Sequence, residues 1–199
     1  RPYCTITMPE AARGDLQVNG EYVVYAIRRT YAKAGDRPIA VLGVSQGGML
    51  PRWALRFWPD TRPMVAKQIG MAGDNHGTSK TQCSVSSPCT PAHWQQDPDS
   101  EFLQALNSRT ETFEGIDYTS IYSYDDKTVP ASSARLRGPG AITNVLTPAM
   151  RELALRLKSL KETARTDADR YELNAYAIRA ELIAEHAATL CGQTLPGCA

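Results

Sequence analysis

Apolar and polar positions along the 199-residue chain fall into two alternating rhythms. Across residues 18–34 apolar side chains return every three or four positions, with Tyr22, Val23, Ala26, Ile27 and Tyr31 on one stripe. That spacing predicts an amphipathic helix. Gly35-Asp36-Arg37-Pro38 stops it and turns the chain. Residues 39–44 are apolar throughout, the pattern of a central parallel strand covered on both faces. Helical spacing resumes after Gly47-Gly48 with Met49, Trp53, Leu55, Phe57 and Trp58, and ends at Pro59. Residues 65–71 predict a second buried strand, 72–78 a polar loop, 100–107 a short helix and 118–124 a third strand. Strands alternating with helices predict a parallel α/β sheet.

The pattern changes near Thr147. From there to about Leu190 the chain is rich in Ala, Leu, Arg and Glu, with a weak break at 163–167. Two helices are expected, the first running from Pro148 to Lys161 with the proline in its first turn. The chain therefore divides into an α/β core over 1–146 and a helical segment over 147–199, which either packs on the core or caps its site.

Composition is that of an ordinary globular domain, with 42% hydrophobic and 22% charged residues, and the length suffices for one buried core. A net charge of +1 gives no general attraction to nucleic acid or to an anionic membrane, and suits a neutral or apolar substrate. No apolar run approaches the roughly 20 residues of a membrane span. The opening Arg1-Pro2-Tyr3-Cys4 reads as the start of a processed secreted protein or of a partial chain. Cys83 and Cys89, and Cys191 and Cys198, are spaced to close small loops, which favours an oxidising compartment and leaves Cys4 over. No Cys-x-x-Cys or His-x-x-x-His spacing accompanies them, so a metal is not expected there.

Candidate chemistry centres on Gly43-Val44-Ser45-Gln46-Gly47. A serine between glycines carries weight only after an apolar strand and before an amphipathic helix, and both are predicted here. Such a turn lifts the Ser45 hydroxyl above the sheet, and Gly43 and Gly47 are expected to supply the room. The Gln46 N–H then becomes an oxyanion donor. A nucleophilic serine needs a base, and the base an acid that orients it, in the chain order Ser, Asp or Glu, His. The third strand runs into Asp125-Asp126, one of which is the expected acid. The three histidines are His76, His93 and His186. The first two precede the acid; His76 is expected to support the site and His93 to lie at the surface. His186 has the right order but sits in a helical pattern, where a solvated helix histidine is the alternative.

The segments Asp15 to Tyr22, Val44-Ser45-Gln46-Gly47-Gly48, Trp94-Gln95-Gln96 and Tyr122-Ser123-Tyr124-Asp125-Asp126 resemble the Candida antarctica lipase B family and its bacterial relatives. The similarity runs from about Arg1 to Val145. It implies an α/β-hydrolase fold with a mostly parallel sheet flanked by helices, incomplete at its N-terminus. It also implies a secreted triacylglycerol lipase or carboxylesterase that uses no cofactor. On this resemblance Ser45 is the nucleophile, Gln46 an oxyanion donor and Asp126 the acid. Asp74 and Gln96 line the acyl side of the pocket, with Thr128 and Val129 in its wall. Val44 stands where the family has a tryptophan, which implies a wider pocket for the small alcohol substituent. The family's other oxyanion donors, and the partner of the cysteine matching Cys4, lie upstream of Arg1. Residues 182–187 resemble the family's acidic-residue-plus-histidine motif at a longer spacing, which implies His186 as the base. A small-molecule or lipid ester substrate, transient contact with a lipid interface and a monomer are expected. The other readings are an acyltransferase or polyester hydrolase on the same machinery, and a non-catalytic hydrolase-like binding module.

Overall fold

A computed structural model describes residues 3–78, 89–124 and 126–146, with the side chains of 145 and 146 set aside. The helical expectation for 147–199 lies outside the described residues, as do His186, Asp125, Cys83, Cys191 and Cys198.

Four strands form one sheet in the order of the chain: β1 (Ile39–Val44), β2 (Val65–Met71), β3 (Asp117–Tyr122) and β4 (Ala141–Leu146). Every pair is parallel, so all four strands end at the same edge. Gly43, Gly70, Ser120 and Asn144 share one register row, and Val44, Met71, Ile121 and Val145 the next. The parallel sheet expected from the pattern is present, with one strand more. In β4, Thr143 and Asn144 interrupt the apolar sequence. Asn144 accepts from the Leu136 N–H at 3.2 Å and donates to the Leu136 carbonyl at 3.3 Å, so a polar strand residue is satisfied by a neighbouring loop.

Helices connect the strands: α1 (Leu16–Lys33), α2 (Gln46–Phe57), α3 (Pro91–Gln95), α4 (Glu101–Asn107) and α5 (Ala131–Ala134). Asp15 starts α1 by accepting from the Gln17 and Val18 N–H groups at 2.7 and 3.3 Å. Its buried face is Leu16, Asn19, Gly20, Val23, Val24 and Ile27. Tyr22, placed on the apolar stripe by spacing, is 43% exposed. The stripe is rotated because α1 packs on α2, where the core is built by Met49, Leu50, Trp53, Ala54 and Leu55. Trp53 stacks on Phe102 of α4 at 4.2 Å between ring centroids, joining the three helices.

The expected covering of β1 on both faces is also corrected. β1 is an edge strand of the described sheet, and its residues are half-buried or exposed, whereas β2 is buried over its last four positions. An edge strand has one neighbour instead of two, which leaves more of it accessible.

Candidate active site

The parallel sheet delivers Ser45, the loop carrying Asp74 and the loop carrying Asp126 to one edge, beyond the carboxyl ends of β1, β2 and β3. Ser45 stands between β1 and α2 with φ 53° and ψ −128°, a backbone conformation that residues with side chains rarely adopt. It is held there by its own N–H, which donates to the Met71 carbonyl at 2.8 Å, and by its carbonyl, which accepts from Gly48 N–H at 2.7 Å.

The room for this turn does not come from the two glycines equally. A Cβ on Gly43 would lie 1.9 Å from the Gly47 carbonyl oxygen, an impossible approach. A Cβ on Gly47 would meet nothing within 4 Å, contrary to the expectation that both glycines clear the turn. The second crowded position is Gly48, where a Cβ would come within 3.2–3.3 Å of the backbone of Gly43, Gly70 and Gly73. Bare backbone therefore lets α2 settle directly on β1 and β2.

Gln46 opens α2, so its N–H is among the amide groups that have no partner within the helix. Its side chain donates to the Ala12 carbonyl at 3.1 Å and accepts from Gln96 Nε2 at 3.1 Å. Gln96 also donates to Ala92 at 2.9 Å. Gln95 accepts from the Leu16 N–H at 2.6 Å and donates to Asp15 at 3.1 Å, completing the start of α1. Trp94-Gln95-Gln96 thus fastens α1 with one glutamine and the residue after Ser45 with the other. Ala12 closes a run of three left-handed residues, Glu10, Ala11 and Ala12, beside this network. Nothing in the local sequence announces that run, since none of the three is glycine.

Asp126 accepts from the Thr128 and Val129 N–H groups at 2.8 and 3.0 Å, both through Oδ1. This turn leaves Oδ2 for another donor. Thr128 is exposed and its carbonyl accepts from Thr78, while Val129 is buried with Ala72, Tyr122, Ala131 and Ala134. Val44 is half-buried at the end of β1. Asp74 is 0% exposed, and neither carboxylate oxygen meets a donor among the described residues. Burial pushes its pKa from 3.8 up to about 7, with its own backbone N–H opposing weakly.

His76 lies in the same loop as Asp74 but is held away from hydroxyl chemistry. Nδ1 contacts the Ser133 carbonyl at 2.9 Å and Nε2 contacts Glu111 Oε1 at 2.9 Å. Burial alone would raise the Glu111 pKa; the hydrogen bond and charge of His76, the Arg137 N–H and the charge of Arg52 outweigh it and leave it lowered. Arg52, on α2, is 1% exposed and donates to the Glu111 carbonyl, Asn75 Oδ1 and Asn107 Oδ1 at 2.9, 3.2 and 2.6 Å. Burial draws its pKa down to about 10, so it remains a cation at neutral pH. His93 is exposed beside Thr90, as expected. Among the described residues no group of His, Cys, Asp and Glu side chains is arranged to hold a metal ion, and no helix is long and apolar enough to cross a membrane.

The family model described as Lipase (class 2) matches residues 26–145, more than half of the chain. The chain belongs to the class 2 lipase family. It is 34% identical over 127 residues to Lipase B of Pseudozyma antarctica, a match covering 63% of this chain and 37% of that protein. Among solved structures it is similar to lipase B of Aspergillus fumigatus, with 37% identity and a TM-score of 0.62 over 69% of this chain and 35% of that one. The mature form of lipase BlEst2 from Bacillus licheniformis shares the fold, with a TM-score of 0.55 at 16% identity over 67% of this chain and 66% of its own. The chain thus spans a little over a third of the length of the lipase B proteins it matches.

In this class 2 lipase chain the fold is of the α/β-hydrolase type, as the sequence resemblance implies. Ser45, Gln46, Gln96, Asp74 and Asp126 come to one edge of the sheet, Gln46 and Gln96 in direct contact. The family match covers the elbow, the Asp74 loop and the Asp126 turn together. The polar network of Arg52, Asn75, Asn107, Glu111 and His76 is absent from the sequence expectations. Its partners lie 23 to 59 residues apart, and only the fold brings them together.

Proposed function

We propose that this chain carries the nucleophile, one oxyanion donor and the acid of a serine ester hydrolase that cleaves carboxylic esters, triacylglycerols included, through an acyl-enzyme. The observation that carries this reading is the backbone of Ser45, held at φ 53° and ψ −128° between a parallel strand and a helix, with the Gln46 N–H next to it. Strain is kept where surrounding structure over-determines it, and a strand-to-helix serine has this geometry in order to expose its oxygen.

In the proposed reaction Ser45 Oγ attacks the ester carbonyl carbon while its proton passes to a histidine, for which chain order assigns His186. Asp126 orients that imidazole and stabilises its charge, and its Oδ2, which accepts from no described residue, is suited to the task. The Gln46 N–H donates to the developing oxyanion. The tetrahedral intermediate collapses, the alcohol leaves with the proton, and water repeats the sequence on the acyl-serine. On the family resemblance Asp74 and Gln96 belong to the acyl side of the pocket, with Thr128 and Val129 in its wall, and Val44 leaves a wider pocket for the small alcohol substituent.

A secreted, monomeric protein meeting a lipid surface transiently fits two features. Cys89 is disulfide-bonded, which belongs to an oxidising compartment. Trp94 and Tyr124, 62% and 68% exposed, stand next in sequence to the Gln95-Gln96 pair and to the acid turn, where apolar surface suits a lipid substrate.

Hydrolysis of p-nitrophenyl butyrate tests the proposal. Ser45→Ala is expected to reduce turnover on the order of 10⁴-fold or more. Undiminished turnover in the variant would overturn the assignment.

A further inference from the structure

The Asp126 turn rests on α5. Val129, whose N–H the Asp126 carboxylate holds, is buried with Ala131 and Ala134 of that helix. Four residues make only one helical turn, too short to hold a position unaided. Its place is set by what the carbonyls at its carboxyl end accept. The Ala134 carbonyl accepts from Asn75 Nδ2 at 2.8 Å and from Ser120 Oγ at 2.5 Å. The Ser133 carbonyl meets His76 Nδ1 at 2.9 Å, and Ser133 Oγ accepts from the His76 N–H at 3.1 Å. Two neighbouring residues of the loop after β2 therefore pin the end of α5.

Asn75 is held from the other side by the helix of the nucleophile. Arg52 of α2 donates to Asn75 Oδ1 at 3.2 Å, and Asn107 Nδ2 donates to the Asn75 carbonyl at 2.9 Å. The orientation of the amide follows from its partners, since a reversed amide would set donor against guanidinium and oxygen against carbonyl. Asn75 is 2% exposed, so neither end can exchange its partner for water without cost. One buried side chain thus spans from α2, which begins directly after Ser45, to α5, on which the Asp126 turn rests.

We propose that Asn75 is a positioning residue, whose two-ended amide sets the Asp126 turn relative to Ser45, with His76 as a second clamp on α5. This rests on the serine-hydrolase reading above. Asn75 hydrogen-bonds to neither Ser45 nor Asp126 among the described residues, so its effect on the reaction passes through α5 and the acid turn. Small displacements of a catalytic group cost large factors in rate, which makes such a link visible in turnover.

A double-mutant cycle on the full chain tests the proposal. Asn75→Asp keeps the shape and the acceptor toward Arg52 but sets a carboxylate oxygen against the Ala134 carbonyl, cutting one end of the link. Hydrolysis of p-nitrophenyl butyrate is measured for Asn75→Asp, Asp126→Asn and their combination, with urea unfolding to confirm that each is folded. Asn75→Asp is expected to lower kcat about tenfold or more while KM stays within about twofold. Asp126→Asn is expected to lower kcat on the order of 10⁴-fold. The combined variant should then fall within about twofold of Asp126→Asn, because a residue acting through the acid has nothing left to position. A purely structural role would instead multiply the two losses. His76→Ala, at a half-exposed position, is carried through the same cycle and decides the matter if Asn75→Asp does not fold. Its expected loss in kcat is about threefold or more, again absent beside Asp126→Asn. Multiplying losses, a change confined to KM, or full turnover in the single variants would overturn the positioning role alone. Full turnover in Asp126→Asn would overturn the serine-hydrolase reading, and the positioning role with it.

Discussion

Gly43→Ala is expected to destabilise the chain by roughly 3 kcal/mol or more, the upper range for forcing a methyl group into packed structure. The added carbon would lie 1.9 Å from the Gly47 carbonyl oxygen, and backbone, unlike a flexible side chain, has nowhere to move. Relief requires α2 to lift off β1, which would break the bonds from Ser45 to Met71 and from Gly48 to Ser45. Gly47→Ala is the matched control. Its Cβ enters open space within α2, where alanine is favoured over glycine by about 0.5–1 kcal/mol. Urea unfolding monitored by tryptophan fluorescence should therefore show the midpoint falling for Gly43→Ala and holding or rising for Gly47→Ala. Equal effects from the two substitutions would show that the elbow is crowded differently from the packing described.

The second large effect is a dependence of stability on pH carried by Asp74. Its folded pKa, about 7, lies above the 3.8 of an ordinary aspartate because burial penalises the charged form. The folded state therefore holds its proton more tightly than the unfolded chain does. Its contribution is complete below pH 4 and is lost as pH rises through about 7, on the order of 4 kcal/mol in all. Asp74→Asn removes the charge while keeping the shape, so the variant should lack this decline between pH 4 and 8. Glu111 works with the opposite sign. Its pKa is lowered, so its contribution is present above the ordinary carboxylate value and lost in acid. The Asn variant should thus keep the acid limb of the profile and lose only the neutral one. Parallel pH profiles for the two proteins, measured by urea unfolding at each pH, would rule out a buried, unpaired Asp74.

Local pattern revealed the elements whose apolar or core-facing positions are consecutive. β1 reads as a strand because six apolar residues sit between a turn and the elbow, and β2 because its last four positions face the core. The elbow was legible for the same reason, since it lies where a strand pattern passes directly into a helical one. β4 was not, because Thr143 and Asn144 break its apolar run and are satisfied from Leu136, a contact no local window contains. Tyr22 was misplaced because spacing fixes the period of a helix and only tertiary packing fixes which side is covered. Within the site, motif and chain order point to Ser45, Gln46 and one of Asp125 and Asp126, and the family resemblance implies Asp126. The crowding at Gly48 and the fixing of His76 depend on residues far apart in sequence. So does the capture of Gln46 by Gln96, 50 residues away.

The central claim is that Ser45 is an activated nucleophile, and covalent labelling tests it without depending on any particular ester. The chain is treated with a fluorophosphonate, and the adduct is located by intact mass and peptide mapping, with Ser45→Ala and Asp126→Asn in parallel. A single phosphonyl adduct on Ser45 is expected, absent from Ser45→Ala and formed much more slowly in Asp126→Asn. An unlabelled chain, or a label on another residue that persists in Ser45→Ala, would contradict it.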